Sequence, residues 1–351
     1  MVNQHLVGKP FKTVVEVVRW FGAMQAQEYA AAKWAIGQRV SGVTDAAIDR
    51  EFDRGAILRT HVMRPTWHFV LPADTRWLQE LTAPRVNAMS AYYSRQLELD
   101  AVTYRRSNAA IAKALRDGKQ LTRTELAQVL RKAGIVAAGP RLAYLVMRAE
   151  LDAVIGSGAR CGKQFTYALL EERAPGAKRL DRDEALAELV TRYFTSHGPA
   201  QVQDFVWWSG LTGADTKRGI EIAQRRLARE VVGEKTYWSA ASAIRPSRST
   251  PTVHLLPTYD EYVVAYGDKG PIFDESNFTS TASLQTVLAR HILIVNGQLL
   301  GGWRNAVTKG EAVINVEPLA KLDRVAREGV QAEAERYGTF MERPVRLVVA
   351  S

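Results

Sequence analysis

A run of helices followed by a strand–turn–strand recurs three times along this chain, and it limits the possible folds more than any other feature. In the first copy, TVVEVVRWFGAMQAQ spaces Val14, Val17, Val18 and Phe21 as one face of a helix running to the glutamines. A second helix is predicted through YAAAKWAIGQRV. Thr44 caps a third, TDAAIDREF, which carries Ala47, Ile48 and Phe52 on its apolar face and ends at Gly55. Two strands follow around His61 to Pro65. The second copy begins near Tyr104 with the helix SNAAIAKALRDGK. Thr122 answered by Glu125 then makes a capping box ahead of Leu126, Val129 and Leu130. GPRLAYLVMRAELDAVIG supplies the next helix, and GSGARCGKQFTYALL a strand pair. The third copy comprises DRDEALAELVTRYFTSHG, GPAQVQDFVWWSGL and TGADTKRGIEIAQRRLA, with strands in REVVG and KTYWSA turning at Gly233. Helices backed by a small hairpin are the layout of a winged-helix module.

The character changes after the third copy. TVHLLPTYDEYVVAY and HILIVNGQLLGGWRN alternate like strands, and Asn296-Gly297 is a hairpin turn signal. One helix, EPLAKLDRVAREGVQAEAERYG, and a last strand, PVRLVVA, complete the chain. RAPGAKRLDR (173–182) and ASAIRPSRSTP (241–251) read as linkers or mobile loops, and RPSRST either as a flexible arm along a nucleic-acid backbone or as a disordered segment. The expected fold class is α+β: three tandem winged-helix modules and a small β-rich, barrel-like C-terminal domain. The expected boundaries are 1–100, 101–178, 179–250 and 251–351. With 351 residues the chain is too long for one ordinary core, which agrees with several packed units.

Lys plus Arg number 47 against 37 Asp plus Glu, a net charge of +10. That surplus points to a polyanionic partner such as nucleic acid; a solubilising charged surface is the plainer alternative. The single cysteine, Cys161, excludes a disulfide framework and a thiolate metal cluster, and fits a reducing cytoplasm. MVNQHLVGKPFK lacks the apolar run of a signal peptide, and no segment approaches the ~18 apolar residues of a membrane span. Neither a membrane partner nor a cofactor is expected.

Four strings then carry a resemblance over essentially the whole chain: MQAQE (24–28), RTHVMRPTWHFV (59–70), LPTYDEYVVAY (256–266) and GGWRN (301–305). Through them the sequence resembles the winged-helix DNA glycosylases of the AlkZ/YcaQ-like family, which remove bulky or crosslinking N7-alkylguanine lesions. The resemblance implies tandem winged helices with a C-terminal β-domain, a damaged duplex as partner, and a Gln–aliphatic–Gln motif acting in hydrolysis of the N-glycosidic bond. Here that motif falls on Gln25 and Gln27, with Ala26 smaller than the usual aliphatic residue, a departure that bears on substrate size. A monomer, nucleoid-associated in the cytoplasm, is the expected form.

The chemistry suits the residues. Alkylation at N7 gives guanine a formal positive charge, so it leaves without a strong general acid. What remains is to stabilise an oxocarbenium-like sugar and hold a water at C1′, and a carboxamide offers one acceptor and two donors for that. In a helix, residues i and i+2 lie about 200° apart and cannot converge, so the motif is expected at a helix–helix junction. Gln-x-Gln is a weak motif by itself, and Gln201-Val202-Gln203 is a second instance.

In the basic hairpin, Arg59 and Arg64 are expected on phosphates, His61 near the lesion, and His68 on DNA from the strand face opposite Trp67 and Phe69, two residues that also suit a core. Arg141, Arg148, Lys217 and Arg218 on the later helices are further DNA-contact candidates, with a solvated helix face as the alternative. Tyr259, Asp260, Glu261 and Trp303 are expected to line the site, the β-domain closing one side of a cleft. Asp260 and Glu261 lack a nearby third ligand, so no metal site is expected. The competing function is a winged-helix transcriptional regulator without catalytic activity, and a weaker one a nuclease. The large β-domain and the glutamine pair are surplus to a regulator.

Overall fold

The computed structural model describes residues 1–242, 251–272 and 290–350; RPSRST lies outside them. Helix α1 (Val14–Phe21) starts at a capping box in which Thr13 accepts from the Glu16 amide while the Glu16 carboxylate accepts from the Thr13 amide. It buries Val14, Val17, Val18 and Phe21 and stops at Gly22, whose φ of 78° few other residues tolerate. The helix expected to run on to the glutamines therefore ends earlier. Ala23–Gln25 instead form strand β1, because their backbone pairs with a hairpin 45 residues downstream in register with Val70 to His68. Next come α2 (Tyr29–Gly37), α3 (Asp45–Asp53, capped by Thr44), β2 (Leu58–His61) and β3 (Trp67–Val70), giving the antiparallel order β1-β3-β2.

A long helix, α4 (Pro72–Gln96), leads to the second unit: α5 (Ala101–Leu115), β4 (Leu121–Thr122), α6 (Arg123–Lys132), α7 (Gly139–Leu151), β5 (Ile155–Ser157) and β6 (Thr166–Leu169), with sheet order β4-β6-β5. After the short α8 (Leu170–Arg173), the third unit comprises α9 (Arg182–Ser196), α10 (Val202–Ser209), α11 (Gly213–Ala223) and the hairpin β7 (Leu227–Val232) to β8 (Lys235–Ala240).

The C-terminal part contains β9 (Val253–Leu256), α12 (Glu261–Val264), β10 (His291–Val295), β11 (Gln298–Val307), β12 (Ala312–Pro318), α13 (Arg324–Met341) and β13 (Val345–Val349). Asn296 and Gly297 turn β10 into β11 with φ of 51° and 84°. The strand order is β13-β12-β11-β10-β9, so among the described residues β9 and β13 lie at opposite edges and the sheet is open. This corrects the barrel-like expectation. Helix α13 covers one face with Val330, Ala334, Tyr337 and Phe340, burying the apolar side without closure. LPTYDEY is likewise not a strand throughout, since α12 begins at Glu261.

The cores tie distant parts of the chain together. One joins α1–α3 to the C-terminal sheet and α13 through Trp34, Phe52, Leu255, Trp303 and Phe340. Another joins the first unit's β2 and β3 to α4 and the third unit through Leu58, Val70, Trp77, Tyr193 and Trp208. The second unit has its own core around Ile111, Leu126, Leu145 and Leu169. Each large apolar side chain so buried contributes about 1.5–3 kcal/mol. The fold is α+β, and no helix of the described residues is long and apolar enough to cross a membrane.

Candidate active site

The glutamine motif connects α1 to α2 as extended chain. Gln25 closes β1 opposite His68 of β3, and the Ala26 amide donates to the Trp67 carbonyl at 2.7 Å. Met24 and Ala26 point into the first core, so Gln25 and Gln27 share the other face, as alternate residues of an extended chain do. The junction expected between two helices is present, and a strand removes the helical geometry that would oppose the two amides.

Buried charges hold this segment from both sides. The Gln25 amide donates to Glu261 Oε1 at 2.7 Å, and Gln25 Oε1 accepts from the Arg64 guanidinium at 2.9 Å. Glu261 is 1% exposed, and its second oxygen accepts from Trp208 Nε1 at 3.0 Å and lies 3.3 Å from His197 Nε2. Arg59 donates to the Ala26 carbonyl at 2.9 Å and the Gln27 carbonyl at 3.2 Å, with its guanidinium 4.3 Å from the Trp67 ring centre and 4.6 Å from that of Phe165. The Trp67 amide donates to Gln27 Oε1 at 3.4 Å. Burial lowers Arg59 to about 10, which leaves it charged at neutral pH; burial also lowers Arg64, opposed by the Glu261 carboxylate.

The basic hairpin is thus less of a surface than the sequence suggested. Arg59 is buried and its guanidinium serves the motif's backbone, so it is not poised on a phosphate. His61 is buried, its Nδ1 2.5 Å from Glu150 Oε2 on α7, with the Trp67 ring 4.4 Å away. His68 is fully buried and donates from Nδ1 to the Thr66 carbonyl, leaving Nε2 without a partner. Burial pushes its pKa well below the usual range, so it is neutral beside Gln25. Alternation along β3 holds, Phe69 entering the core and His68 facing the opposite way. Arg64 alone of these four places its charge on a glutamine side chain.

The acidic pair diverges. Asp260 accepts from both terminal guanidinium nitrogens of Arg39 at 2.8 Å, in an ion pair with no exposure on either side chain, while Glu261 turns to Gln25. Among the described residues no cluster of three or more His, Cys, Asp or Glu has metal-binding arrangement. Tyr259 is 41% exposed, and Trp303 is buried and donates to the Leu256 carbonyl at 2.8 Å; both border one cavity beside Glu28. Elsewhere, Arg148 pairs with Asp152 at 2.8 Å and Arg218 with Asp183 at 2.6 Å. Arg141 bonds the Val136 and Leu97 carbonyls, and Lys217 is exposed.

Sequence reasoning missed Glu150, the partner of His61, and named Glu261 only as lining the site, without its role as acceptor of the Gln25 backbone amide. Their partners lie 89 and 236 positions away, beyond any local pattern. The available signals were a carboxylate on a helix with mainly apolar neighbours and one at the end of a tyrosine-rich string.

Chemically, two carboxamides stand on one rigid face, their oxygens already aligned by Arg64 and the Trp67 amide. A carboxamide oxygen has a second lone pair and the nitrogen two donors, so each can still engage a water or a developing charge. The aligning groups are in place beforehand, which is the arrangement that preorganised electrostatic stabilisation requires.

The family model described as "DNA glycosylase AlkZ-like" matches residues 18–340. A curated relative from Streptomyces sahachiroi, named "Interstrand DNA cross-link repair glycosylase", is 22% identical over 368 residues, covering 99% of this chain and 97% of its own. The solved structure of Streptomyces sahachiroi DNA glycosylase AlkZ aligns with a TM-score of 0.78 at 20% identity, over 99% of this chain and 97% of that one. At that identity the structural likeness speaks for the fold, whereas the family match speaks for the line of descent and does not favour a non-catalytic regulator. The chain belongs to the AlkZ-like DNA glycosylases.

Proposed function

We propose that this protein hydrolyses the N-glycosidic bond of bulky or crosslinked N7-alkylpurines in duplex DNA, leaving an abasic site. Gln25 and Gln27 hold the attacking water beneath C1′ and stabilise the cationic sugar, and no metal or organic cofactor takes part. The observation that carries this reading is the pair of carboxamides on one extended face, its backbone bonded to buried Glu261 and Arg59. Neither amide can act as a strong base at neutral pH, so the reaction depends on a leaving group already made cationic. Neutral bases such as uracil are poor substrates for it.

The finer architecture belongs to the same reading. The three helical units are winged-helix modules over 1–100, 101–178 and 179–250, and 251–351 is the β-rich domain that closes one side of the cleft. The protein acts as a monomer at the nucleoid in the cytoplasm and is monofunctional, without strand cleavage. Arg64 serves the glutamine and the duplex together, while Lys217, Arg218, Arg141 and Arg148 supply phosphate contacts; a freely available cation such as Lys217 is worth about 0.9 in the salt slope of binding, and those already paired within the protein less.

Duplexes carrying one N7-alkylguanine, or one purine–purine crosslink, test this in the presence of a chelator. The expected products are free alkylpurine and an abasic site that breaks only in alkali. Retention of the adduct, or strand breakage without alkali, contradicts the hydrolytic or the monofunctional assignment respectively.

A further inference from the structure

We propose that the cavity bordered by Glu28, Tyr259, His291 and Trp303 is a subsite for a planar cationic purine, an inference that rests on the reading of Gln25 and Gln27 above. The cavity measures about 380 Å³ and lies between the start of α2 and the C-terminal sheet, beginning one residue after Gln27. Its lining differs in charge from the chain as a whole. The chain carries +10, yet the lining of this cavity includes one carboxylate, Glu28, and no lysine or arginine. Glu28 is exposed at the rim and forms no ion pair among the described residues, and its field reaches Arg59, the residue that holds the Gln27 carbonyl. A phosphate would meet repulsion here.

The walls suit a flat ring. Trp34, Trp303 and Tyr337 stack edge to face, with centroids 5.0 and 5.5 Å apart, and the exposed Tyr259 ring stands at the mouth. Tyr259 holds φ at 63°, a left-handed backbone that is strained at a residue other than glycine and that clusters at functional sites. Aromatic faces attract cations through the ring quadrupole.

Hydrogen bonding keeps the walls uncharged. The Thr258 amide donates to His291 Nδ1 at 2.8 Å, which fixes the ring proton on Nε2, and burial lowers the imidazole's pKa. Asn305 donates to the Tyr337 hydroxyl at 2.6 Å, so the hydroxyl's own proton remains available to an acceptor such as a purine carbonyl. Burial raises Tyr337 to about 12, which leaves it neutral. The Tyr337 hydroxyl and His291 Nε2 as donors, the exposed Tyr259 ring and a rim carboxylate together recognise a cationic purine bearing a carbonyl.

A cation-selective pocket also favours turnover. Cleavage of the glycosidic bond returns its electron pair to the purine and cancels the ring's positive charge, so the product loses the attraction that held the substrate.

Equilibrium binding of three small probes to the full chain tests the proposal at mildly acidic pH: 7-methylguanosine, which is cationic, guanosine, and the neutral free base 7-methylguanine. The cationic nucleoside should bind about tenfold more tightly than either neutral probe. Glu28→Gln should abolish that preference while leaving guanosine binding unchanged, and Tyr259→Ala should weaken the cation about tenfold. Both side chains are exposed, and unchanged thermal melting verifies that the variants fold. Equal binding of the three probes, absence of binding, or a preference that survives both substitutions overturns the subsite. If base release from duplex DNA persists in any of those cases, the glutamine mechanism stands and the subsite alone falls; if release is absent from the wild type, the mechanism falls with it.

Discussion

In the first helical unit Lys33 sits 3% exposed between Asp45 and Asp49, Arg39 pairs with Asp260 without any exposure, and Arg59 lies under Trp67. The second unit, written in a similar pattern of helices and hairpin, keeps Arg148 and Asp152 at about a third exposure and holds its own core. Its main buried charge, Glu150, reaches back to His61 of the first unit. The difference teaches where each unit's charges are used. In the first unit they fix backbone across more than two hundred residues of sequence and hold two amides in place. In the second, Glu150 apart, the Arg148–Asp152 pair remains partly at the surface. The cost of desolvating the first set is met only while every partner is present.

The largest expected effect breaks that contrast at its strongest point. Arg39→Ala leaves Asp260 as an uncompensated buried charge and should cost about 3–5 kcal/mol in urea unfolding. Arg148→Ala, which removes a partly exposed pair, should cost about 1 kcal/mol or less. Similar losses for the two would show that burial of charge does not distinguish the units.

A second effect follows from the buried histidines. His68, with His254 and His291, has a folded pKa below its ordinary value of 6.5, chiefly through burial. Between the folded and unfolded pKa values the unfolded state binds more protons. Stability is therefore full above about pH 6.5 and falls as the pH drops below it, by up to about 1.4 kcal/mol per pH unit for each histidine still neutral in the fold. Denaturant midpoints measured from pH 7.5 down to 5 check the slope, and a His68→Phe variant should flatten it. A midpoint that rises on acidification contradicts the assignment.

The smallest effect concerns the surface. Lys217→Ala should weaken duplex binding about equally for damaged and undamaged DNA and reduce the salt slope by about 0.9. Arg218→Ala should do less, because Asp183 already occupies that guanidinium. A loss confined to damaged DNA would move Lys217 from the surface to the site.

Much of this was legible in sequence where short-range chemistry decides it. The caps at Thr44 and Thr122 sit where the sequence put them, and Asn296-Gly297 turns the hairpin it announces. Strand β1 was not legible: three residues following an amphipathic helix take their conformation from β3, and Gly22 was the only local sign of the break. Helix α4 carries Pro84 in its interior, a residue that argues against a helix of that length from sequence. Of the site, the glutamines and Arg64 could be named from their strings, whereas the burial of Arg59, His61 and His68 depends on Glu150, Phe165 and packing from other units. A basic hairpin read alone looks like a DNA surface; packed against α7 and the motif, most of it becomes scaffold.

Single-turnover base release from an N7-alkylguanine duplex, compared for wild type, Gln25→Ala, Gln27→Ala and the double variant, examines the paired amides without intermediary. Each single substitution should slow release by roughly 10²–10³-fold at unchanged melting temperature. The double variant should fall well short of the product of the two losses, because both amides serve one water. Release at the wild-type rate from either folded single variant would contradict a joint role for Gln25 and Gln27.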